Sequence, residues 1–284
     1  LIKRWIIAAA ALAAFASPAM AQDTAGTGTA PLPDPTDQSD SFMIGLGVGR
    51  VADYEGSDDY RIIPAGAIRA RVNGINIQTR STYLYVDVVQ SSVGNFNFDL
   101  GPIVGLRMNR SSKIKDDVVD LLPRRKKAIE VGGFAGVSLR GLTNPYDALS
   151  FRLDVVKDIG KAHQSTVITP SVDFGTPISR KFYVSVGASA DFVADDYADY
   201  YFSITPADAL ASGLPVYDAD GGFKNWKLSL LANTAITGDL THGLSAFALA
   251  SYGRLKNDFA DSPIVSLRGS PKQSLLALGL AYTF

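Results

Sequence analysis

Nucleophilic chemistry needs a hydroxyl or thiol held beside a base, and this sequence offers few places for it. It contains no cysteine and only two histidines, His163 and His242. His163 is close in sequence to Asp158 and Ser165, the best triad-like cluster in the chain. A lone histidine near a serine is unspecific as a motif, and a solvated loop histidine is the better reading. His242 sits between Thr241 and Gly243 in a short turn, a poor place to exclude water. Two acidic clusters, Asp53, Glu55, Asp58 and Asp59, and Asp195, Asp196 and Asp199, supply oxygen ligands but match no calcium-loop spacing. They read as solvated loops. No catalytic residue, cofactor or metal site is expected, and the chain reads as a non-enzyme. The basic run Arg124-Arg125-Lys126-Lys127 has the charge to meet lipopolysaccharide phosphates, although a solvated charge run is the plainer reading.

More informative are unlike charges at mid-strand positions: Asp99, Arg107, Glu130, Arg152, Asp154, Asp173, Asp191 and Lys227. Each lies in a run where apolar side chains alternate with small or polar ones. Phe96, Phe98, Leu100, Val104 and Leu106 oppose Asn97, Asp99, Gly101, Gly105 and Arg107. Leu149, Phe151, Leu153 and Val155 oppose Ser150, Arg152 and Asp154, and the same period-two pattern recurs almost to the end of the chain. From 244 to 255 the sequence is strand-like but its phase is ambiguous. A closed barrel needs this composition, because lipid meets the apolar face and a wet or salt-bridged lumen meets the other. A soluble sandwich alternates too. The export signal, the absence of cysteine and the many runs of about ten residues, long enough to cross a bilayer on a tilt, favour the barrel. The paired unlike charges suggest a bridged, largely closed interior.

The N-terminus explains how such a chain reaches a membrane. Lys3 and Arg4 precede an apolar stretch over residues 5–15, then Ala19-Met20-Ala21 forms a small-x-small cleavage site. Residues 1–21 therefore read as a signal peptide cleaved after Ala21. Residues 22–40 carry Pro31, Pro33 and Pro35 and little to bury, and read as a disordered periplasmic leader. Residues 41–284 form the barrel. The 27 Lys+Arg against 28 Asp+Glu are too balanced to argue for nucleic acid.

Short connections, such as Asn73-Gly74, alternate with longer ones at 52–60, 109–127, 193–223 and 256–271. Short periplasmic turns and long outer loops are the habit of outer-membrane barrels, and with both ends periplasmic the strand count is even. Splitting residues 75–89 near Ser81-Thr82 gives an antiparallel up-and-down barrel of about twelve strands, with ten the alternative. Tyr282 and Phe284 end an alternating apolar strand and read as the signal recognised by the barrel-assembly machinery. In the loop 193–223, Thr205 is placed to N-cap a short helix with Pro206 first and Asp208 three residues on, ended by Gly213. Such a helix would sit over the barrel mouth as a plug or a surface.

Within that loop, residues 200–206 (Tyr-Tyr-Phe-Ser-Ile-Thr-Pro) and 211–217 (Ala-Ser-Gly-Leu-Pro-Val-Tyr) resemble the MipA/OmpV family of outer-membrane proteins. So do residues 53–60, 101–105 and 261–265, and the resemblance runs from Ser41 to Phe284. It implies a non-enzymatic role. The namesake member is described as a scaffold that binds a lytic transglycosylase and brings it to a bifunctional penicillin-binding protein. Other members are described as osmotically regulated proteins, adhesins or small-solute pores. A murein hydrolase and a murein synthase are thus partners implied by resemblance, beside outer-membrane lipid and lipopolysaccharide.

Overall fold

The computed structural model describes residues 40–284. The expected signal peptide, and the leader up to residue 39, lie outside the described residues. Thirteen strand segments follow one another: β1 (Ser41–Ala52), β2 (Tyr60–Val72), β3 (Ile75–Arg80), β4 (Tyr83–Asp87), β5 (Val89–Val93), β6 (Phe96–Arg107), β7 (Ala128–Arg140), β8 (Ala148–Asp158), β9 (Thr166–Ser179), β10 (Phe182–Val193), β11 (Gly222–Ala235), β12 (Gly243–Leu255) and β13 (Lys272–Thr283). Neighbours pair antiparallel around the ring, and β13 pairs with β1 from Met43↔Thr283 to Arg50↔Leu276. β4 and β5 are two pieces of one stave interrupted at Val88, both laid against β6, so the closed barrel has twelve staves. The break that makes the number even is the turn at Ser81-Thr82, with Ser81 at φ 53°.

Period-two alternation sets the two faces. Leu46, Val48, Leu100, Phe151, Leu228 and Leu278 stand outward and exposed. On a membrane barrel that face meets lipid, which removes the need to bury it against protein. Asn73 and Gly74 adopt positive φ of 51° and 80°, the mirror-image turn that matches strand twist, and Val72 faces Ile75 across it. The ambiguous phase of β12 has a steric origin. Phe247 and Leu249 point inward, opposite the small Gly279 and Ala277, while alanines 246, 248 and 250 take the outward positions. The Phe247 ring fills the space that a side chain at Gly279 would need.

By the loop-length rule, the end with long connections is the outer one. At the other end the turn 141–147 is fastened by one carboxylate. Asp147 accepts from the N–H groups of Leu142 (2.7 Å), Thr143 (2.6 Å) and Asn144 (3.1 Å) and from the Thr143 hydroxyl (2.5 Å). Burial pushes its carboxyl up, but these donors outweigh burial and hold it below the usual carboxylate range. A depressed carboxylate stabilises the fold fully above its unfolded value, ~3.9, and that contribution is lost as pH falls through the lower folded value. Amide exchange at Leu142, Thr143 and Asn144 is therefore expected to stay protected from about pH 7 to about pH 5 and to open progressively below ~3.9. Unchanged protection below the folded value would show that the turn does not depend on the charge.

The long loops fold inward over the barrel mouth. Residues 194–221 carry α1 (Asp195–Phe202) and α2 (Pro206–Ser212), and residues 256–271 carry α3 (Asn257–Asp261) and α4 (Pro263–Ser266). Tyr197, Ala198, Tyr201 and Phe202 of α1 are fully buried, together with Phe259, Ile264 and Val265 from the last loop and Tyr54 from the first. These join Tyr83, Tyr85, Ile103, Phe134 and Val156 from the wall in one apolar cluster. The main core of this barrel is thus its filled outer mouth.

Candidate functional site

Beneath and around α1 the inward charges meet in one ladder. Glu130, fully buried on β7, accepts from Arg107 Nε (2.6 Å) and Nη2 (3.0 Å), and from the Tyr83 hydroxyl (2.6 Å). Gly105 makes this possible, since the Tyr83 ring occupies the position a Cβ there would take. Arg107 also donates to the Tyr197 hydroxyl at 3.4 Å. That hydroxyl donates to Glu55 at 2.9 Å and accepts from Lys224 at 3.1 Å. Lys224 bridges Glu55 at 2.7 Å and Asp191 at 3.4 Å, and Asp191 takes a second cation, Lys227, at 2.9 Å. Thr169 and Asn225 donate to the remaining positions on Asp191, at 2.9 and 3.0 Å. Arg107, Lys224 and Lys227 balance Glu55, Glu130 and Asp191. The desolvation that makes buried charges costly is met by pairing and by hydrogen bonds to nearly every oxygen.

Of the charges predicted from strand phase, Arg107, Glu130, Asp191 and Lys227 enter this ladder. Arg152 and Asp154 form a separate pair at 2.7 Å on β8, with the Tyr85 hydroxyl on Asp154 at 2.9 Å. Asp99 on β6 lies lower in the lumen, within electrostatic reach of Arg80 and Arg140. Asp173 on β9 is half-buried outside the ladder.

Three ladder members escaped sequence reasoning. Lys224 sits where β11 slips register against β10, between the pairs Asp191↔Asn225 and Phe192↔Phe223. Strict alternation from Lys227 and Asn225 points residue 224 outward; the bulge turns it in, a common use of bulges beside sites. Glu55 and Tyr197 come from loops, and no periodicity speaks for loops. The acidic cluster at 53–59 is also not the solvated loop expected. Asp53 and Glu55 are buried, and Asp53 is paired with Arg61 and accepts from Lys115 N at 2.7 Å.

His163 departs further from expectation, being 2% exposed rather than solvated. Its Nε2 meets Glu130 at 2.8 Å and its Nδ1 accepts from the Ser165 backbone N–H at 3.2 Å. Those bonds assign the proton to Nε2 and occupy both nitrogens, so neither is free to take a proton from the Ser165 hydroxyl. Asp158 spends its oxygens on the N–H groups of Gly160, Ala162 and Gln164, shaping the loop rather than orienting the imidazole. The three residues are near one another without being a triad. His163 instead packs edge-on against Tyr197, with ring centroids 5.1 Å apart. Among the described residues no group of three or more His, Cys, Asp or Glu is disposed to hold a metal ion.

The loop helix α2 carries a full capping box. Thr205 accepts from Asp208 N at 3.2 Å, Asp208 accepts from Thr205 N at 3.2 Å, and Gly213 closes the helix at φ 75°. It is the outer member of the loop; the plug itself is α1. Burial drives the α1 tyrosines into the mouth, and Arg110, 2% exposed, ties the helix end by donating to Tyr201 O at 3.0 Å. Ser262 does the same from the last loop, donating to Phe202 O at 2.6 Å. Tyr54 donates to Ile264 O at 2.7 Å, so the first, fifth and last outer loops are bonded into one lid. Burial lowers Arg110 to about 10, the nearby Arg125 adding to the effect. In the basic run, Arg125 stacks over the Tyr200 ring at 5.0 Å while Arg124, Lys126 and Lys127 stay exposed. At the opposite end Phe284 N donates to Phe42 O at 2.9 Å, and its ring lies 4.7 Å from that of Tyr282 on the lipid-facing side.

Residues 44–284 match the model of the family described as MltA-interacting protein MipA. No curated protein sequence matches the chain. Among solved structures, an outer-membrane channel from Pseudomonas putida F1 is 10% identical with a TM-score of 0.46, covering 91% of this chain and 99% of its own. A Pseudomonas aeruginosa FadL homologue is 12% identical at TM-score 0.33, covering 86% and 89%. The outer-membrane protein OprD from Pseudomonas aeruginosa is 9% identical at TM-score 0.34, covering 86% and 92%.

Proposed function

We propose, from the premise that this chain belongs to the MipA family, that it is an outer-membrane scaffold rather than an open pore or an enzyme. In this reading the signal peptide is cleaved after Ala21, and the leader and periplasmic turns dock a lytic transglycosylase and a peptidoglycan synthase. The observation that carries it is the filled outer mouth. Tyr197, Tyr201, Phe202 and Lys224 are wholly buried where a conducting barrel needs water. A twelve-stave barrel lies between the small filled barrels and the open porins in bore, so its contents decide whether it conducts. The fully occupied nitrogens of His163 argue on the same side against hydrolytic chemistry. Purified protein in planar bilayers is expected to show no steady current, and pull-down from solubilised envelopes is expected to recover a murein hydrolase. Steady open currents favour a diffusion channel, and recovery of no murein enzyme together with host-surface binding favours an adhesin.

A further inference from the structure

Below the ladder, one wall of the lumen carries an excess of arginine. Arg69 and Arg71 on β2, Arg80 on β3 and Arg140 on β7 all take inward positions. They are close enough for Arg69 to feel the charges of Arg71, Arg80 and Arg140, and for Arg140 to feel Arg71. Like charges gathered on one wall repel, so a fold that holds them is poised for a counter-charge. The local acids do not supply enough of it. Asp154 is committed to Arg152 and Tyr85, Asp87 accepts the Leu100 N–H at 3.3 Å, and Asp173 faces in from β9. Asp99 lies against Arg80 and Arg140, and Asp154, already bonded to Arg152 and Tyr85, is the other acid within reach of Arg80.

The second observation is Arg80 itself. It is only 8% exposed, and its Nε and one terminal nitrogen have no hydrogen-bond partner. Its guanidinium is held 5.3 Å from the Tyr85 ring centroid, which orients it without satisfying its donors. The Nε of Arg71 is likewise buried and unpartnered. Unmet donors on a buried guanidinium are costly, and the fork geometry matches carboxylate and phosphate oxygens. The flanking staves β1, β13 and β12 present Gly45, Ala277, Ala281 and Phe247 there, which are neutral and offer no rival for the arginines. Arg71 and Arg140 remain half-exposed, which leaves the site a path toward the periplasmic end.

From this we infer that the periplasmic half of the lumen is a binding site for a small multivalent oxyanion, a phosphate or a dicarboxylate, centred on Arg80 and Arg71. The inference stands apart from the scaffold reading, since a closed outer mouth leaves the site reachable from the periplasm. The test is thermal unfolding of the purified barrel in neutral detergent, titrated with inorganic phosphate or succinate against sodium chloride at matched ionic strength. Phosphate or succinate is expected to raise the unfolding temperature along a saturating curve that chloride does not reproduce. Arg80→Gln and Arg71→Gln are each expected to move half-saturation at least tenfold higher, Arg80→Lys less, and Arg124→Gln on the outer loop not at all. Should Arg80→Gln fail to fold, the half-exposed Arg71 gives the same reading. A shift that merely tracks ionic strength, or that persists in both lumen variants, overturns the site.

Discussion

Replacing Glu130 by alanine is expected to destabilise the folded barrel by about 3–5 kcal/mol, the usual cost of stranding one member of a buried pair. Glu130 accepts four hydrogen bonds from three residues, and its loss leaves Arg107 charged at 2% exposure without the carboxylate that accepts two of its donors. His163 loses its partner in the same step. The temperature at which the folded gel band gives way to the unfolded one measures the effect. Glu130→Gln, which keeps the shape and one acceptor, should fall less far. A double variant, Glu130→Leu with Arg107→Met, should recover much of the loss, because removing both charges also removes their desolvation cost. If Glu130→Ala melts with the unaltered protein, the ladder is not what holds the mouth together.

The second large effect concerns conduction. Replacing residues 195–220 by a short Gly-Ser linker should turn a silent barrel into one with steady ion current. The wall allows such a shortening, because Val193 and Gly222 already pair at the outer ends of β10 and β11. What leaves with the loop is Tyr197, Tyr201 and Phe202, the side chains that fill the mouth, and the hydroxyl that links Arg107 to Glu55 and Lys224. What remains is a ring of charges facing water. Current from the unaltered protein would sink the sealed-mouth reading; silence from the shortened one would move the seal to the wall, to Tyr83, Tyr85 and Phe134.

Strands and loops differed in how much of this could be read beforehand. Twelve staves, the break at Ser81-Thr82 and the Asn73-Gly74 hairpin were legible because side-chain direction in a strand has a strict period of two. Where the period was ambiguous, in β12, volume complementarity made the choice: Phe247 went inward because Gly279 and Gly45 left room. The stretches that carry the family likeness, residues 53–60, 200–217 and 261–265, lie far apart in sequence. In the folded chain they bond to one another through Tyr54, Ser262 and Phe202 as the lid.

By itself, the sequence determined an even-numbered membrane barrel with twelve staves preferred over ten, the inward facing of Arg107, Glu130, Asp191 and Lys227, and the capped helix at Thr205. Each of these rests on local rules, strand periodicity or capping chemistry, that need only a few neighbouring residues. Only the tertiary structure decided that the outer loops fold into the mouth, that His163 is buried against Glu130, and that a register slip delivers Lys224 to Asp191 and Glu55. Those outcomes depend on partners from 33 to 210 residues away in the chain, and on the cost of leaving any one buried charge alone.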